Sequence, residues 1–128
     1  MREIKFRVYD TEKKKLSYGF SIQDLAKEMV QTVIESWVDN LVWQQYTGLK
    51  DKNGKDIYEG DILGYFDAIV NNDKERVEIK YWGEQWCEFT IRDYNGKDVK
   101  SDEPNDYYGG VSTEYKEVIG NIFEGVDR

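Results

Sequence analysis

The sequence contains no histidine, one cysteine, one proline and no long apolar run. Without histidine, the chain lacks the commonest general base and the commonest transition-metal ligand of proteins. Its one cysteine, Cys87, cannot form an internal disulfide, which fits a reducing compartment. No stretch approaches the roughly 20 apolar residues of a membrane-spanning helix, and charges interrupt the apolar residues at the N-terminus, unlike a signal peptide. We therefore expect a cytoplasmic protein without membrane contact, cofactor or metal.

Positive charge is scarce and unevenly placed along the chain. The 128 residues carry a formal net charge of −8, and a field of that sign repels the phosphate backbones of DNA and RNA. We therefore expect no direct nucleic-acid binding. Residues 1–16 depart from this trend, with six basic and three acidic side chains. The basic run at residues 13–15 is interpreted as a solvated hairpin turn, with a contact for an acidic partner as the alternative.

Alternation of apolar and polar residues predicts an N-terminal hairpin, with strands at residues 2–9 and 16–20. The pattern changes to helical spacing after Ser21. Residues 22–36 are predicted as one amphipathic helix that packs its apolar side on a sheet. Ser21 and Asp24 have the spacing of a capping pair, in which the serine oxygen accepts from an amide of the first turn.

The rest of the chain is typical of an antiparallel meander. Asn53-Gly54 is a strong hairpin signal, because both residue types tolerate positive φ angles. Gly60 is expected to bend the chain into the next strand, and a polar turn is predicted at residues 71–75. Further strands are predicted at residues 41–47, 62–70, 76–82 and 86–94, and one or two last strands are predicted within residues 111–123. The fold class is therefore a single α+β domain over residues 1–128, mostly antiparallel β, whose meander forms a small, partly open barrel.

Residues 95–110 contain the strongest breakers of regular structure, among them the only proline, Pro104. From residue 97 onward the segment is acidic and has little apolar area to bury, so ordering it alone would not offset the entropy lost. It ends in Tyr107 and Tyr108, which suit an interface. We expect a mobile acidic loop whose aromatic end docks on a partner or on a second copy of the chain. The alternative is that both tyrosines pack on their own barrel.

Three blocks of the sequence resemble the YopX family. They are IKFRVYD at residues 4–10, QYTGLKDKNGKDIYEGDI at residues 45–62, and EVIGNIFE at residues 117–124. The blocks occur in order and span nearly the whole chain, and the central block is long and specific. The family is found mainly in bacteriophages and prophages, and its members have no established activity. The resemblance therefore implies a mobile-element protein in a bacterial host cell, and it assigns no catalytic residue.

The central block concentrates four carboxylates, at Asp51, Asp56, Glu59 and Asp61. One interpretation is a site for Mg²⁺ or Ca²⁺. An EF-hand calcium loop, however, needs a bidentate glutamate at its twelfth position, and Ile62 stands at that position counted from Asp51. The preferred interpretation is turn chemistry, in which Asx side chains and glycines bend two hairpins.

The remaining candidates for a functional role are the cysteine and the aromatic residues. Cys87 lies on the apolar side of a predicted strand and lacks a histidine to activate it, so we expect a buried, inert thiol. Phenylalanine, tryptophan and tyrosine together make up 15% of the residues. Trp37, Trp43 and Trp86 are assigned to the core. The interaction residues predicted from the sequence are Trp82, Tyr107 and Tyr108.

These observations favour a non-enzymatic accessory module of a phage or prophage that binds a host or phage protein, with self-association as a further option. Two alternatives stay open. One is a small metal-dependent hydrolase or nuclease that uses the acidic cluster; the other is an acidic DNA mimic that occupies a DNA-binding protein. Three converging carboxylates would favour the hydrolase, acids spaced along a ridge the mimic, and an exposed aromatic patch the binding module.

Overall fold

A computed structural model describes residues 4–27, 40–67, 72–93, 95–105, 110–111, 113 and 116–126. Their strands form two antiparallel sheets. The first sheet contains β1 (Phe6–Asp10), β2 (Lys15–Phe20), β3 (Leu41–Lys50) and β4 (Asp56–Tyr58). The second contains β5 (Asp61–Asp67), β6 (Asn72–Trp82), β7 (Gln85–Arg92), β8 (Glu117–Asn121) and β9 (Gly125–Val126). Within these described ranges, one helix, α1, is assigned at residues 22–27.

The first sheet has the spatial order β2-β1-β3-β4 and is built on the predicted N-terminal hairpin. Asp10 fixes its turn, because one carboxylate oxygen accepts the amides of Glu12 and Lys13, each at 2.9 Å. Residues 13–15 are exposed around this turn, as predicted. The predicted start of β1 is wrong: the strand begins at Phe6, and Ile4, which was expected to face inward, is 51% exposed.

The start of α1 confirms the predicted capping pair. The Ser21 amide donates to Asp24 Oδ2 at 2.8 Å, and the Asp24 amide donates to Ser21 Oγ at 3.2 Å. These reciprocal bonds satisfy two amides that a helix leaves without internal partners. Residues 28–36 of the predicted helix lie outside the described residues.

The second sheet has the order β7-β6-β5-β8-β9, so the last long strand, β8, pairs with the first strand of the meander. Glu59 and Gly60 carry the chain from β4 in one sheet to β5 in the other. Gly60 has a φ of +83°, as its predicted bend requires. Its amide donates to the Ile79 carbonyl at 2.8 Å, and its carbonyl accepts the Ile122 amide at 3.0 Å. These bonds fix the crossing point between the sheets.

The core lies between β4 and the inner side of the second sheet. Its buried cluster contains Ile57, Leu63, Val77, Ile79 and Trp86. A second contact joins the sheets elsewhere, where the rings of Tyr9 and Phe123 stack with centroids 4.1 Å apart. Burying an aliphatic or aromatic side chain of this size contributes about 1.5–3 kcal/mol relative to leaving it in water. The apolar positions that alternate along the meander therefore stabilise the domain.

The predicted polar turn at residues 71–75 is wrong, because β6 already begins at Asn72. Asn72 pairs with Asp67, and Glu75 pairs with Tyr65, in the antiparallel ladder of β5 and β6. The ladder uses backbone groups, which polar residues supply as well as apolar ones. The third strand is also longer than predicted and runs on to Lys50, with an irregular register between Tyr46 and Lys50.

The predicted fold class is confirmed: the domain is α+β, with an N-terminal hairpin, one helix and a β meander. All strand pairs are antiparallel. Among the described residues neither sheet closes on itself, so the barrel is partly open, as expected.

The acidic segment is better anchored than the sequence predicts, in the part that the structure describes. The Val99 amide donates to the Ile91 carbonyl at 3.0 Å, and the Asn105 amide donates to the Glu88 carbonyl at 2.9 Å. Pro104 is buried. Residues 97–105, which belong to the segment predicted to be a mobile acidic loop, therefore have backbone contacts along the outer edge of β7.

Candidate functional site

The two sheets meet at a buried ion pair that joins β1 to β5. Arg7 Nη1 lies 2.6 Å from Asp61 Oδ1, and both side chains are only 2% exposed. Arg7 also donates from Nε to Gln44 Oε1 at 2.7 Å, and from Nη2 to the Glu59 carbonyl at 3.1 Å. The guanidinium therefore links three strands and the turn between β4 and β5.

Tyr58 completes this seam on the side of β4. Its amide donates to Asp61 Oδ2 at 2.8 Å, so both oxygens of that carboxylate have donors. The Arg7 guanidinium carbon lies 5.0 Å from the centroid of the Tyr58 ring. Burial raises the pKa of Asp61, while the Arg7 charge and the Tyr58 amide act in the opposite direction. The arrangement is an internal brace, because its charged atoms point at one another.

Asp51 organises the hairpin between β3 and β4. Its Oδ1 accepts the amides of Asn53 and Lys55, each at 2.9 Å, and its Oδ2 accepts the Val118 amide at 2.9 Å. Gly54 has a φ of +83°, as the predicted turn requires. The predicted turn chemistry is therefore confirmed for Asp51, which also ties the hairpin to β8.

The remaining carboxylates of the central block point to different partners. Asp56 accepts from Lys5 Nζ at 2.8 Å and from Lys50 Nζ at 2.6 Å. Burial raises the pKa of Asp56, but these two lysines outweigh it and the net shift is downward. Burial raises the pKa of Glu59. Within the described ranges, no three cysteine, aspartate or glutamate side chains come close enough together to hold a metal ion.

A cavity of about 290 Å³ lies beside the brace at the seam. The rings of Tyr18 and Tyr58, which line it, meet edge to face with centroids 5.5 Å apart. Arg7 and Asp61 form part of one wall, and residues 118–121 of β8 form another. Since the wall contains both cationic and anionic side chains, its charge does not select one class of ligand.

The predicted interaction residue Trp82 lies exposed at the end of the β6–β7 hairpin. Trp82 is 43% exposed, and its neighbour Tyr81 is 53% exposed on the opposite side of the strand. Each ring rests edge-on against a buried ring: Trp82 against Phe89 at 5.8 Å between centroids, and Tyr81 against Trp86 at 5.0 Å. Two aromatic side chains are thus held in place and presented to solvent.

Other predicted positions have mixed outcomes. Trp86 is 5% exposed and lies in the core, and Cys87 is completely buried, as expected for an inert thiol. Trp43 is half-buried and lines a groove on the surface. The predicted interaction residues Tyr107 and Tyr108, and the predicted core residue Trp37, lie outside the described residues.

A groove of about 560 Å³ lies on the outer side of the first sheet, which faces away from the second sheet. Val8, Trp43 and Ser17 occupy paired positions on β1, β3 and β2, so they share this side. The Trp43 ring meets Phe20 edge to face at 5.3 Å. Asp10 and residues of α1 complete the lining, which also includes Lys13, Lys15, Asp24, Lys27 and Leu41.

Residues 5–127 match the family described as YopX protein. The chain belongs to the YopX family. The crystal structure of protein EF1440 from Enterococcus faecalis is similar to this YopX-family chain, with a TM-score of 0.59 and 21% identity. The similarity covers 96% of this chain and 95% of that chain, and at this identity it shows the fold alone. No curated protein matches the chain.

The three blocks that carry the resemblance to YopX proteins meet at the seam between the sheets. Arg7 comes from the first block, Asp61 from the central block, and Ile119, which lines the adjacent cavity, from the closing block. These blocks therefore hold the fold together at the place where the chain passes from one sheet to the other.

Sequence reasoning missed the groove because its residues come from three strands and a helix. The available signal was the basic run at residues 13–15. The predicted alternation Leu16–Tyr18–Phe20 is wrong at its end, because an irregular register places Tyr18 in the cavity at the seam and Phe20 in the groove on the other side of the sheet. Neither pattern indicates that Lys27 or Trp43 lies nearby. In the part of the chain that the structure describes, no helix is long and apolar enough to cross a membrane.

Proposed function

We propose that this YopX-family chain is an accessory protein of a phage or prophage that acts by binding another protein, without catalysis. The observation that carries the proposal is the pair of exposed aromatic residues, Tyr81 and Trp82, at the end of the β6–β7 hairpin. Tryptophan and tyrosine are the residue types that most often dominate the binding energy of protein interfaces.

The contacts beneath the rings of Trp82 and Tyr81 favour a role in binding over exposure without a function. Trp82 and Tyr81 contact the buried rings of Phe89 and Trp86, so their orientations are restricted before a partner arrives. A side chain that is already ordered loses less entropy on binding. The short turn after Trp82 contains Gly83, with a φ of +62°, which leaves both rings at the tip of the hairpin.

The carboxylates of the central block support the absence of catalysis in this proposal. Asp51 binds backbone amides, Asp56 binds two lysines, and Asp61 binds Arg7 and an amide. A carboxylate that serves as general base or metal ligand needs a free oxygen directed at the substrate or ion. All three are instead engaged in structural bonds: those of Asp51 and Asp61 connect the two sheets, and those of Asp56 lie within the first sheet.

The test is affinity capture from lysogenic or infected bacterial cells, followed by calorimetry with the purified captured protein. Trp82→Ala is compared with Tyr18→Ala, which removes an aromatic ring that is 56% exposed on the other sheet. We expect Trp82→Ala to weaken binding by about tenfold or more, as for a central interface residue, and Tyr18→Ala to leave it within about twofold.

Thermal unfolding of both variants controls for loss of structure. A partner that binds Trp82→Ala and Tyr81→Ala as tightly as it binds the original chain would contradict the proposed surface. Hydrolysis of a captured molecule by the purified chain would contradict the proposal of a non-enzymatic protein.

A further inference from the structure

The groove on the outer side of the first sheet combines an apolar floor with a basic rim. Its floor is formed by side chains from three neighbouring strands, namely Val8, Phe20, Leu41 and Trp43. Lys13 and Lys15 reach its edge from the β1–β2 hairpin, and Lys27 reaches it from α1. This local excess of lysine occurs on a chain with a net charge of −8.

The two carboxylates in the lining are already committed to neighbours. Asp10 accepts two turn amides and the Asn40 side chain, and Asp24 accepts from Ser21. Hydrogen bonds from the Lys13 and Ser21 amides are the largest causes that lower the pKa values of Asp10 and Asp24, respectively. Both therefore stay ionised and directed at the backbone.

The three lysines of the rim are not committed in this way. Lys13, Lys15 and Lys27 are exposed, and none forms a hydrogen bond or ion pair through its side chain with the part of the chain that is described. The charges of Lys13 and Lys27 also contribute to lowering the pKa values of Asp10 and Asp24, respectively, so Lys15 carries the excess positive charge of the rim. All three ammonium groups remain available for an anionic ligand next to the apolar floor.

We infer that this groove binds an acidic peptide segment of a partner protein, with Asp or Glu side chains on the lysines and an apolar side chain against Trp43. A volume of about 560 Å³ lies within the range of pockets that enclose small ligands, so it can hold a few side chains. The groove lies on the first sheet, whereas Trp82 lies on the second. The inference therefore goes beyond the proposed function and can fail independently of it.

Charge distinguishes a peptide from the other polyanions that lysines attract. Nucleic acids carry one charge for every phosphate, and their binding depends on the field of the whole protein. The net charge of −8 opposes such a field, while a short acidic segment needs only the local charge of Lys13, Lys15 and Lys27. The apolar floor also matches a peptide side chain better than a phosphate backbone.

The experiment selects ligands for the full chain from a library of random short peptides, and measures their affinities by fluorescence anisotropy. We expect the enriched peptides to combine Asp or Glu with Phe, Trp or Leu. The triple variant Lys13→Glu, Lys15→Glu, Lys27→Glu is expected to bind them about tenfold or more weakly, because three attractive contacts become repulsive. Weaker binding at high salt is expected for the original chain.

The matched control is the triple variant Lys52→Glu, Lys97→Glu, Lys100→Glu, which changes the net charge equally at exposed lysines outside the groove. We expect this control to bind the peptides within about threefold of the original chain. Circular dichroism checks that both triple variants are folded.

Four outcomes would overturn the inference: equal loss in both triple variants, enriched peptides without acidic residues, tighter binding of a single-stranded oligonucleotide than of any peptide, or no enriched peptide at all. The last of these outcomes is also the one expected if residues 28–36, predicted in a helix that packs on a sheet, occupy the groove themselves. Sedimentation velocity tests another occupant, a second copy. Self-association that the groove variant abolishes and the control retains would also overturn the assignment to a partner protein.

Discussion

At the scale of single residues, Gly54 and Gly60 have the same φ of +83° but different surroundings. A Cβ at Gly54 would meet no atom within 4 Å, whereas one at Gly60 would collide with the side chain of Gln44. We predict that Gly54→Ala costs about 1–2 kcal/mol through backbone strain alone. Gly60→Ala should cost more, because Gln44 must move and lose its bond to Arg7. Urea unfolding of both variants measures the difference.

Because both glycines have the same φ, the strain term cancels in this comparison, and the excess cost of Gly60→Ala reports the crowding at the seam. Equal losses of unfolding free energy in the two variants would show that Gln44 moves aside without cost. The seam would then be less tightly packed than its contacts indicate.

The buried pair of Arg7 and Asp61 gives a second prediction at this scale. Asp61→Asn keeps the shape of the side chain but leaves the Arg7 charge buried without a counter-ion. Breaking a buried pair in this way costs about 3–5 kcal/mol. The comparison is Lys50→Ala, which breaks the bond to Asp56 from a lysine side chain that is 59% exposed. An exposed pair is worth about 0–1 kcal/mol.

Chemical unfolding of the two variants, at one pH and one salt concentration, gives both values. A loss for Asp61→Asn no larger than the loss for Lys50→Ala would mean that water reaches Arg7 at the seam. The double variant Arg7→Met, Asp61→Leu provides a further check. It should recover part of the loss, because it removes both charges together.

At the scale of elements, residues 95–105 protect the outer edge of β7. An exposed strand edge offers unpaired backbone groups to other chains. Here the Ile91 and Glu88 carbonyls accept amides from this segment, and Asp98 forms a bridge to Arg92. We predict that deletion of residues 98–105 lowers the melting temperature by a few degrees and promotes association of chains through β7.

The matched control for this deletion is Asp98→Asn, Asp102→Asn, Glu103→Gln, which keeps the backbone and removes the acidic charge. Differential scanning calorimetry and sedimentation velocity compare the two variants. If the deleted chain melts at an unchanged temperature and remains a monomer, the segment does not protect the edge. If the control associates as strongly as the deletion, charge rather than edge coverage keeps the chains apart.

The elements that sequence predicted well are those with a local cause. Alternation located most strands, the serine–aspartate spacing located the start of α1, and Asn53-Gly54 located a hairpin. The errors have non-local causes. Residues 72–75 join a strand because the neighbouring strand β5 supplies their partners, although their side chains are polar. The hydrogen bonds that anchor residues 95–105 depend on β7 in the same way.

The candidate sites were less predictable than the strands. Arg7 and Asp61 are 54 positions apart, and nothing in either local pattern identifies the other as its partner. Trp82 was predicted as an interaction residue, and its side chain is 43% exposed. The groove could not be predicted in this way. Its lining comes from three paired strands and from α1, and an alternating pattern within one strand identifies neither the neighbouring strands nor the position of the helix.

At the scale of the whole molecule, a net charge of −8 on a small domain means that its surface charges repel one another on average. Salt screens this repulsion, with a Debye length of about 10 Å at 0.1 M ionic strength. The buried pair of Arg7 and Asp61 is screened much less, because little solvent reaches it. Moderate salt should therefore stabilise the folded domain.

This effect of salt leads to a prediction that distinguishes screening of the surface charges from binding of a cation at a specific site. We predict that the melting temperature rises with NaCl, and that Mg²⁺, Mn²⁺ or Ca²⁺ at matched ionic strength gives the same rise. A divalent site would add stability through mass action, by about 2.7 kcal/mol at a hundredfold excess over its dissociation constant. Three carboxylates of the central block, Asp51, Asp56 and Asp61, have amide, lysine or arginine partners that such an ion would have to displace. Scanning calorimetry across both series measures the effect, with Asp56→Asn as the control for a site on a half-buried acid of the central block. An additional rise with one divalent ion, lost in that variant, would contradict the prediction and favour the hydrolase.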